Sequence, residues 1–203
     1  MDSVSFLESS LVFRLYTLEG LLTVSHSRPS FAAQFPNSIY GGGAVTGIYT
    51  AQLAALSHLR VISIASPANF SYLRSIGVTT CIDRHESSSS ILSSIRSVIS
   101  SQGGRLRYAI DCVSSATADL CLQALSENSS PGVPSGELIG LAGNPKAEPG
   151  QVKVHRISFS TTFYHADGVF AKGVLDYVTK VLEEGRLQPC RPELLPDGLA
   201  GIR

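Results

Sequence analysis

An α/β fold built on a doubly wound parallel sheet is predicted by two observations. Short apolar runs rich in β-branched residues alternate with amphipathic helical patterns, and a run of glycines interrupts the first junction between the two. Strand and helix in regular alternation is the pattern of a parallel sheet covered on both faces, because each crossover needs a helix to return the chain.

The elements follow in order. Leu7, Leu11, Leu15 and Leu18 recur at three- and four-residue intervals, which predicts an amphipathic helix ending near Gly20, then a loop through Pro29. Strands are expected at Ser38 to Tyr40, Val61 to Ala65, Cys81 to Asp83, Tyr108 to Val113, Leu138 to Leu141 and Val152 to Phe159. Helices are expected at Ile48 to Leu56, Phe70 to Ser75, Ile91 to Ser100, Thr117 to Leu125 and Val169 to Glu184. The serines 87 to 90 precede Ile91, Ile95 and Val98 at helical spacing, so they read as an N-cap region rather than a linker. Glu127 to Gly136 is a loop, and there is no internal repeat.

Composition narrows the function classes. Of 203 residues, 16 are Lys or Arg and 16 are Asp or Glu, so no charge excess draws the chain to nucleic acid or to an anionic membrane. The apolar stretch Leu11 to Val24 is broken by Arg14 and Glu19, and Asp2 stands where a secretory leader carries positive charge; a soluble, cytoplasmic protein is expected. Cys81, Cys112, Cys121 and Cys190 form no CxxC pair and the five histidines no ligand spacing, so no metal and mostly buried thiols are expected.

Gly41 to Gly47, GGGAVTG, lies between a strand and a helix. Glycines there allow a tight turn and close approach of the backbone to a pyrophosphate at the start of the helix, although a turn without a ligand uses the same residues. At the end of the next strand, SIASPANF offers Ser66 and Asn69 and no acid, with Arg74 one helical turn on. A carboxylate at that place would bind the ribose hydroxyls of NAD; its absence favours NADP, unless Ser66 and Pro67 merely cap a helix.

YGGGAVTG, RVISIASPANF, RYAIDCVSS, ELIGLAG and VLEEGRLQP followed by LLPDGLAGIR, in that order, resemble the medium-chain dehydrogenase/reductase superfamily. Within it, the trans-acting enoyl reductases of fungal polyketide biosynthesis are the most similar. The resemblance implies a Rossmann-type domain at 36–185, preceded by a helix and loop (1–35) left from the preceding lobe and followed by a shortened return segment (186–203). The GroES-like catalytic domain of the family is then largely missing, and the chain reads as truncated.

It also implies NADPH as cofactor, a polyketide synthase or its carrier-bound intermediate as partner, and a possible homodimer through the edge at Val152 to Phe159. Gly41, Gly42, Gly43 and Thr46 would line the pyrophosphate, and Ser66, Asn69 and Arg74 the adenosine phosphate. Asp111, Cys112 and Leu141 would lie on the nicotinamide side, through backbone and packing. Cys112, Tyr108, Phe163 and Tyr164 read as core or pocket wall rather than reacting groups, and no catalytic residue is assigned.

The sequence departs from the family at Gly43 and Ala44, where Ser and Thr are common, and at Arg84, where an aromatic residue is common. Each lost hydroxyl removes about 0.5–1.5 kcal/mol of phosphate hydrogen bonding. Three roles are compatible with these features: a reductase completed by a partner, a redox-inactive scaffold, and a lobe repurposed for cyclisation or isomerisation.

Overall fold

The computed structural model describes residues 36–127, 136–155 and 168–191. Its strands are β1 (Pro36–Tyr40), β2 (Arg60–Ala65), β3 (Thr80–Asp83), β4 (Tyr108–Asp111), β5 (Glu137–Gly140) and β6 (Lys153–His155). The helices are α1 (Val45–Leu56), α2 (Phe70–Ser75), α3 (Ser88–Gln102), α4 (Ser115–Glu127) and α5 (Gly168–Glu183). All neighbouring strands pair in parallel, in the order β3-β2-β1-β4-β5-β6. This is the order of a Rossmann-type sheet.

Strand periodicity explains why both faces are covered. Successive side chains point to opposite sides, so Ile62, Ile64, Ala109 and Leu138 enter one core while Val61, Ala65, Ile110 and Ile139 enter the other. The first core is closed by Ile91, Ile95 and Ile99 of α3 and Leu122 and Leu125 of α4. The second is closed by Ile48, Ala51 and Ala54 of α1 and Leu73 of α2. Burial on both faces is why Val61 to Ala65 carries no exposed position. Each fully buried Ile or Leu contributes about 1.5–3 kcal/mol relative to exposure.

Local chemistry sets the ends. Ser87 caps α3 with its hydroxyl, which accepts the Ser90 N–H at 3.2 Å, so the serine run begins a helix as its composition predicts. Pro36 is the first residue of β1, and pairing with β4 starts one residue later at Asn37 opposite Tyr108, where a missing proline N–H breaks no bond to β4.

Most element boundaries shift by one to three residues from the sequence expectation, and the ends of β4 and β5 fall short of it. β4 stops at Asp111 rather than Val113, because the Asp111 carboxylate takes the N–H groups of Val113 and Ser114 and turns the chain. β5 stops at Gly140, one residue short of Leu141. The described part of β6 is Lys153–His155; residues 156–159, like the predicted helix over Leu7 to Leu18, lie outside the described residues.

Residues 186–191 run back along α1. Leu187 is buried with Tyr177 and Val181 of α5 against Tyr49, Leu53 and Leu56, and Cys190 donates its N–H to the Tyr49 hydroxyl at 3.4 Å.

Candidate functional site: a glycine turn at the switch point

β1 is flanked by β2 on one side and β4 on the other. The helix that follows β1 packs into one core and the helix that follows β4 into the opposite core. The two connections therefore part at the carboxyl ends of the strands and leave a crevice, the place where open α/β sheets bind ligands.

The glycine turn forms one wall. The N–H groups of Gly41 and Gly42 both donate to the Ile64 carbonyl of β2, at 3.0 and 3.3 Å, and Ala44 donates to Gly41 at 2.9 Å. Gly41 adopts φ +82°, and a side chain there would also stand 2.5 Å from the Val113 methyl. At Gly42 the space of a Cβ is filled by the Ser63 hydroxyl. At Gly47 a Cβ would stand 2.3 Å from the Gly41 carbonyl oxygen, so this glycine lets α1 seat on the turn.

Ala44 precedes α1 and supplies no capping hydrogen bond. The first-turn N–H groups are thus left for an anion, at the positive end of the helix dipole. Thr46 lies in that first turn with its side chain exposed, and its carbonyl accepts the Thr50 hydroxyl at 2.8 Å.

On the β2 side, the structure brings Ser66 and Asn69 together: the Asn69 N–H donates to the Ser66 carbonyl at 2.9 Å in a 3₁₀ turn over Pro67–Asn69. The Ser66 hydroxyl makes no capping bond, so it is not used as a helix cap. Asn69 also reaches Gly43, with its Nδ2 2.3 Å from an ideal Cβ at that position. The Arg74 guanidinium lies 5.6 Å from the centre of the ring of Phe70, the residue after Asn69. Arg84, outside the predicted set, is exposed and donates its N–H to the Ala65 carbonyl at 3.0 Å, beside the end of β2. Its charge also acts on Tyr40, whose phenol is raised by burial and by Cys121 and Asp111 and lowered by Arg84.

Across the crevice, Asp111 is fully buried, and its Oδ1 accepts from Val113 at 3.0 Å and Ser114 at 2.9 Å. Its carbonyl accepts the Leu141 N–H at 2.8 Å, while Cys112 donates to the Tyr40 carbonyl at 3.0 Å. Asp111, Cys112 and Leu141 are therefore gathered by backbone bonds at the ends of β1, β4 and β5. Burial, reinforced by the Asp111 carboxylate, pushes the Cys112 thiol up to about 11, which leaves it protonated and unreactive at neutral pH. Tyr108 is a core residue; Phe163 and Tyr164 lie outside the described residues.

Sequence reasoning did not single out four groups that shape the site. Gly47 closes the glycine run at the spacing of a last motif glycine, a signal present in the sequence. Ser63 carries no such signal, being one polar residue in an apolar strand. Gly143 packs on the start of α4, where a Cβ would meet the Ser115 hydroxyl at 2.5 Å. Asp119 ties the following loop to α4 by accepting the N–H groups of Lys146 and Ala147 at 2.8 and 2.9 Å.

The four cysteines are free; Cys121 is buried and the other three are half-buried, so the expectation of mostly buried thiols holds for one of them. Among the described residues no cluster of His, Cys, Asp and Glu could hold a metal ion, and no helix is long and apolar enough to cross a membrane.

No protein-family model matches the chain. Trans-enoyl reductase BOA5 of Botryotinia fuckeliana is 26% identical over 193 residues, covering 83% of this chain and 47% of that protein. Trans-enoyl reductase buaC of Petromyces alliaceus is 27% identical over 185 residues, covering 83% of this chain and 49% of that protein. Trans-enoyl reductase TOXD of Cochliobolus carbonum is 36% identical over 92 residues, 45% of this chain and 29% of that protein.

Among solved structures, the mitochondrial 2-enoyl thioester reductase Etr1p/Etr2p heterodimer of Candida tropicalis superposes with a TM-score of 0.66 at 16% identity, over 89% of this chain and 51% of that one. The Etr1p complex with NADP and crotonyl-CoA gives 0.67 at 18% identity, over 89% of this chain and 51% of that one. The resemblance to fungal trans-enoyl reductases seen in the motifs is thus borne out, and so is the Rossmann-type fold. The chain spans about half the length of the curated relatives it matches.

Proposed function

We propose that this span is the nucleotide-binding lobe of an NADPH-dependent enoyl reductase of polyketide biosynthesis, which reduces an α,β-unsaturated acyl chain carried on a polyketide synthase. The observation that carries the reading is the glycine turn, which directs the uncapped start of α1 into the switch-point crevice. Similarity to trans-enoyl reductases supports the acyl substrate and the partner synthase.

The residues present fit a dinucleotide. Gly41, Gly42 and Gly43 present backbone without side chains, and Thr46 lies in the first turn of α1, so these four would hold the pyrophosphate. Ser66 and Asn69 would border the adenosine ribose, the segment that directly follows β2 carries no carboxylate to hold ribose hydroxyls, and Arg74 is one helical turn away. Asp111, Cys112 and Leu141 would border the nicotinamide: the buried Asp111 carboxylate fixes the turn after β4, and the protonated Cys112 and Leu141 pack beside it. When bound, the nicotinamide supplies the hydride. The chain's part in this reading is to fix the cofactor, and the reaction also needs an opposite wall that excludes water.

Calorimetric titration with NADPH and NADH at fixed salt tests the cofactor assignment. NADPH is expected to bind more tightly, and tighter NADH would overturn the assignment. The span alone is expected not to reduce a simple enoyl thioester at a useful rate, since positioning accounts for roughly 7–11 kcal/mol of such barriers. Turnover is checked by loss of the reduced-nicotinamide absorbance together with a two-hydrogen gain in product mass.

A further inference from the structure

The segment after α5 touches both helices that start at the crevice. Gln188 is tied to Gln52 in α1 by two hydrogen bonds of 2.7 and 3.0 Å, and the Cys190 N–H reaches the Tyr49 hydroxyl of the same helix at 3.4 Å. The next residue leaves α1 for α2: the Arg191 guanidinium lies 4.6 Å from the centre of the Tyr72 ring. Tyr72 and Cys190 both pack against the second core. The Tyr72 hydroxyl is buried and has no hydrogen-bond partner among the described residues, so the ring face, not the phenol, makes the connection.

The two helices joined in this way carry the two turns of the site. α1 starts directly after the glycine turn, and α2 starts at Phe70, directly after the 3₁₀ turn of Pro67–Asn69. α2 has only six residues, and a helix that short is held by packing rather than by its own hydrogen bonds.

We propose that residues 188–191 form a clasp that fixes α2, and with it the turn that carries Ser66 and Asn69, relative to α1 and the glycine turn, with Arg191 as its positioning residue. The inference rests on the nucleotide-binding reading above and extends it to a segment outside the predicted site residues. Coupling of this kind is reciprocal: a clasp that favours the nucleotide-binding arrangement is itself favoured by bound nucleotide.

The test uses the 203-residue chain as wild type, Arg191→Ala, Tyr72→Leu, their double variant and Tyr72→Phe, each titrated with NADP+. Arg191 is exposed, so its truncation leaves the core intact, and far-ultraviolet circular dichroism checks the fold of each variant. Arg191→Ala and Tyr72→Leu should each weaken NADP+ roughly threefold to tenfold, the range of one cation–π contact. The double variant should be no weaker than the weaker single one, because both changes remove the same interaction. Tyr72→Phe keeps the ring and drops only the unpartnered hydroxyl, so it should bind as the wild type does. Hydrogen exchange supplies the reciprocal readout: the Gln188 and Cys190 amides should exchange more slowly with NADP+ bound, and less so in Arg191→Ala.

Unchanged NADP+ affinity in Arg191→Ala would overturn the proposal, as would losses that multiply in the double variant. A loss in Tyr72→Phe as large as in Tyr72→Leu, or amide exchange at 188 and 190 indifferent to NADP+, would overturn it as well. In each of those cases wild-type binding leaves the nucleotide reading standing, whereas a wild type that binds neither NADP+ nor NADPH brings down both.

Discussion

Gln52 and Gln188 exchange two hydrogen bonds across 136 positions of sequence: the Gln188 N–H donates to Gln52 Oε1 at 2.7 Å, and Gln52 Nε2 donates to the Gln188 carbonyl at 3.0 Å. Gln52 is buried on α1, the helix that starts at the glycine turn, so this pair anchors the segment after α5 to the element that carries the site. Gln52→Leu keeps the volume but leaves a backbone N–H and C=O without partners. It should destabilise the fold by about 1–3 kcal/mol, read as a lower midpoint in urea unfolding. An unchanged midpoint would mean that water replaces the glutamine.

Two glycines on helices should respond to alanine with opposite signs. At Gly47 the added methyl meets backbone on two sides, Gly41 O at 2.3 Å and Gly42 Cα at 2.7 Å, and neither can move without opening the turn. Gly47→Ala should therefore lower the melting temperature and weaken NADPH binding together. At Gly173 in α5 there is nothing within 4 Å, so Gly173→Ala should stabilise by about 0.5–1 kcal/mol through lost freedom of the unfolded chain. Thermal unfolding of the two variants side by side decides the matter.

Acid should weaken the far edge of the sheet. Glu137 of β5 and His155 of β6 lie 2.7 Å apart, both largely buried. Burial pushes the Glu137 carboxyl up, but the hydrogen bond and charge of His155, with Lys153 and Arg107, outweigh it and hold the carboxyl below its ordinary value. A carboxyl lowered on folding stabilises fully above its unfolded pKa of about 4.3, and the contribution is lost as pH falls through the folded value. Glu137→Gln should thus be less stable than wild type at pH 7, and the gap should narrow below about pH 4. A constant gap across urea titrations from neutral to acid pH would sink this account.

The thiol at the crevice should be inert. With Cys112 raised to about 11 from an ordinary value of 9.0, its thiolate population at pH 8 is about a hundredfold lower than that of an unperturbed cysteine. Peptide mass spectrometry after timed iodoacetamide treatment should show Cys112 modified far more slowly in the folded protein than in urea. Rapid labelling in the folded state would place the thiol in contact with solvent or a base.

Much of the fold was legible because it depends on local periodicity. Val61 to Ala65 reads as a strand buried on both faces, Ile91, Ile95 and Val98 as helical spacing, and the serines 87 to 90 as the cap region that starts the helix, of which the structure makes Ser87 the cap. The misplaced ends have local causes of another kind. The Asp111 carboxylate bends the chain by hydrogen bonding two N–H groups ahead, a competition with the strand that apolar patterning does not reveal.

The sequence by itself determined the order of strands and helices, the position of the glycine turn and the lack of an acid after β2, because each depends on neighbouring residues and their spacing. Only the tertiary structure decided that Asn69 rests on Gly43, that Ser63 fills the space beneath Gly42, and that Arg74 turns to Phe70. Those contacts join residues whose separation along the chain follows no period. Whether Asn69 meets the turn or solvent is set by how closely β1 and β2 pair and where α1 and the 3₁₀ turn leave them, a matter of ångströms that close packing settles and residue spacing does not encode.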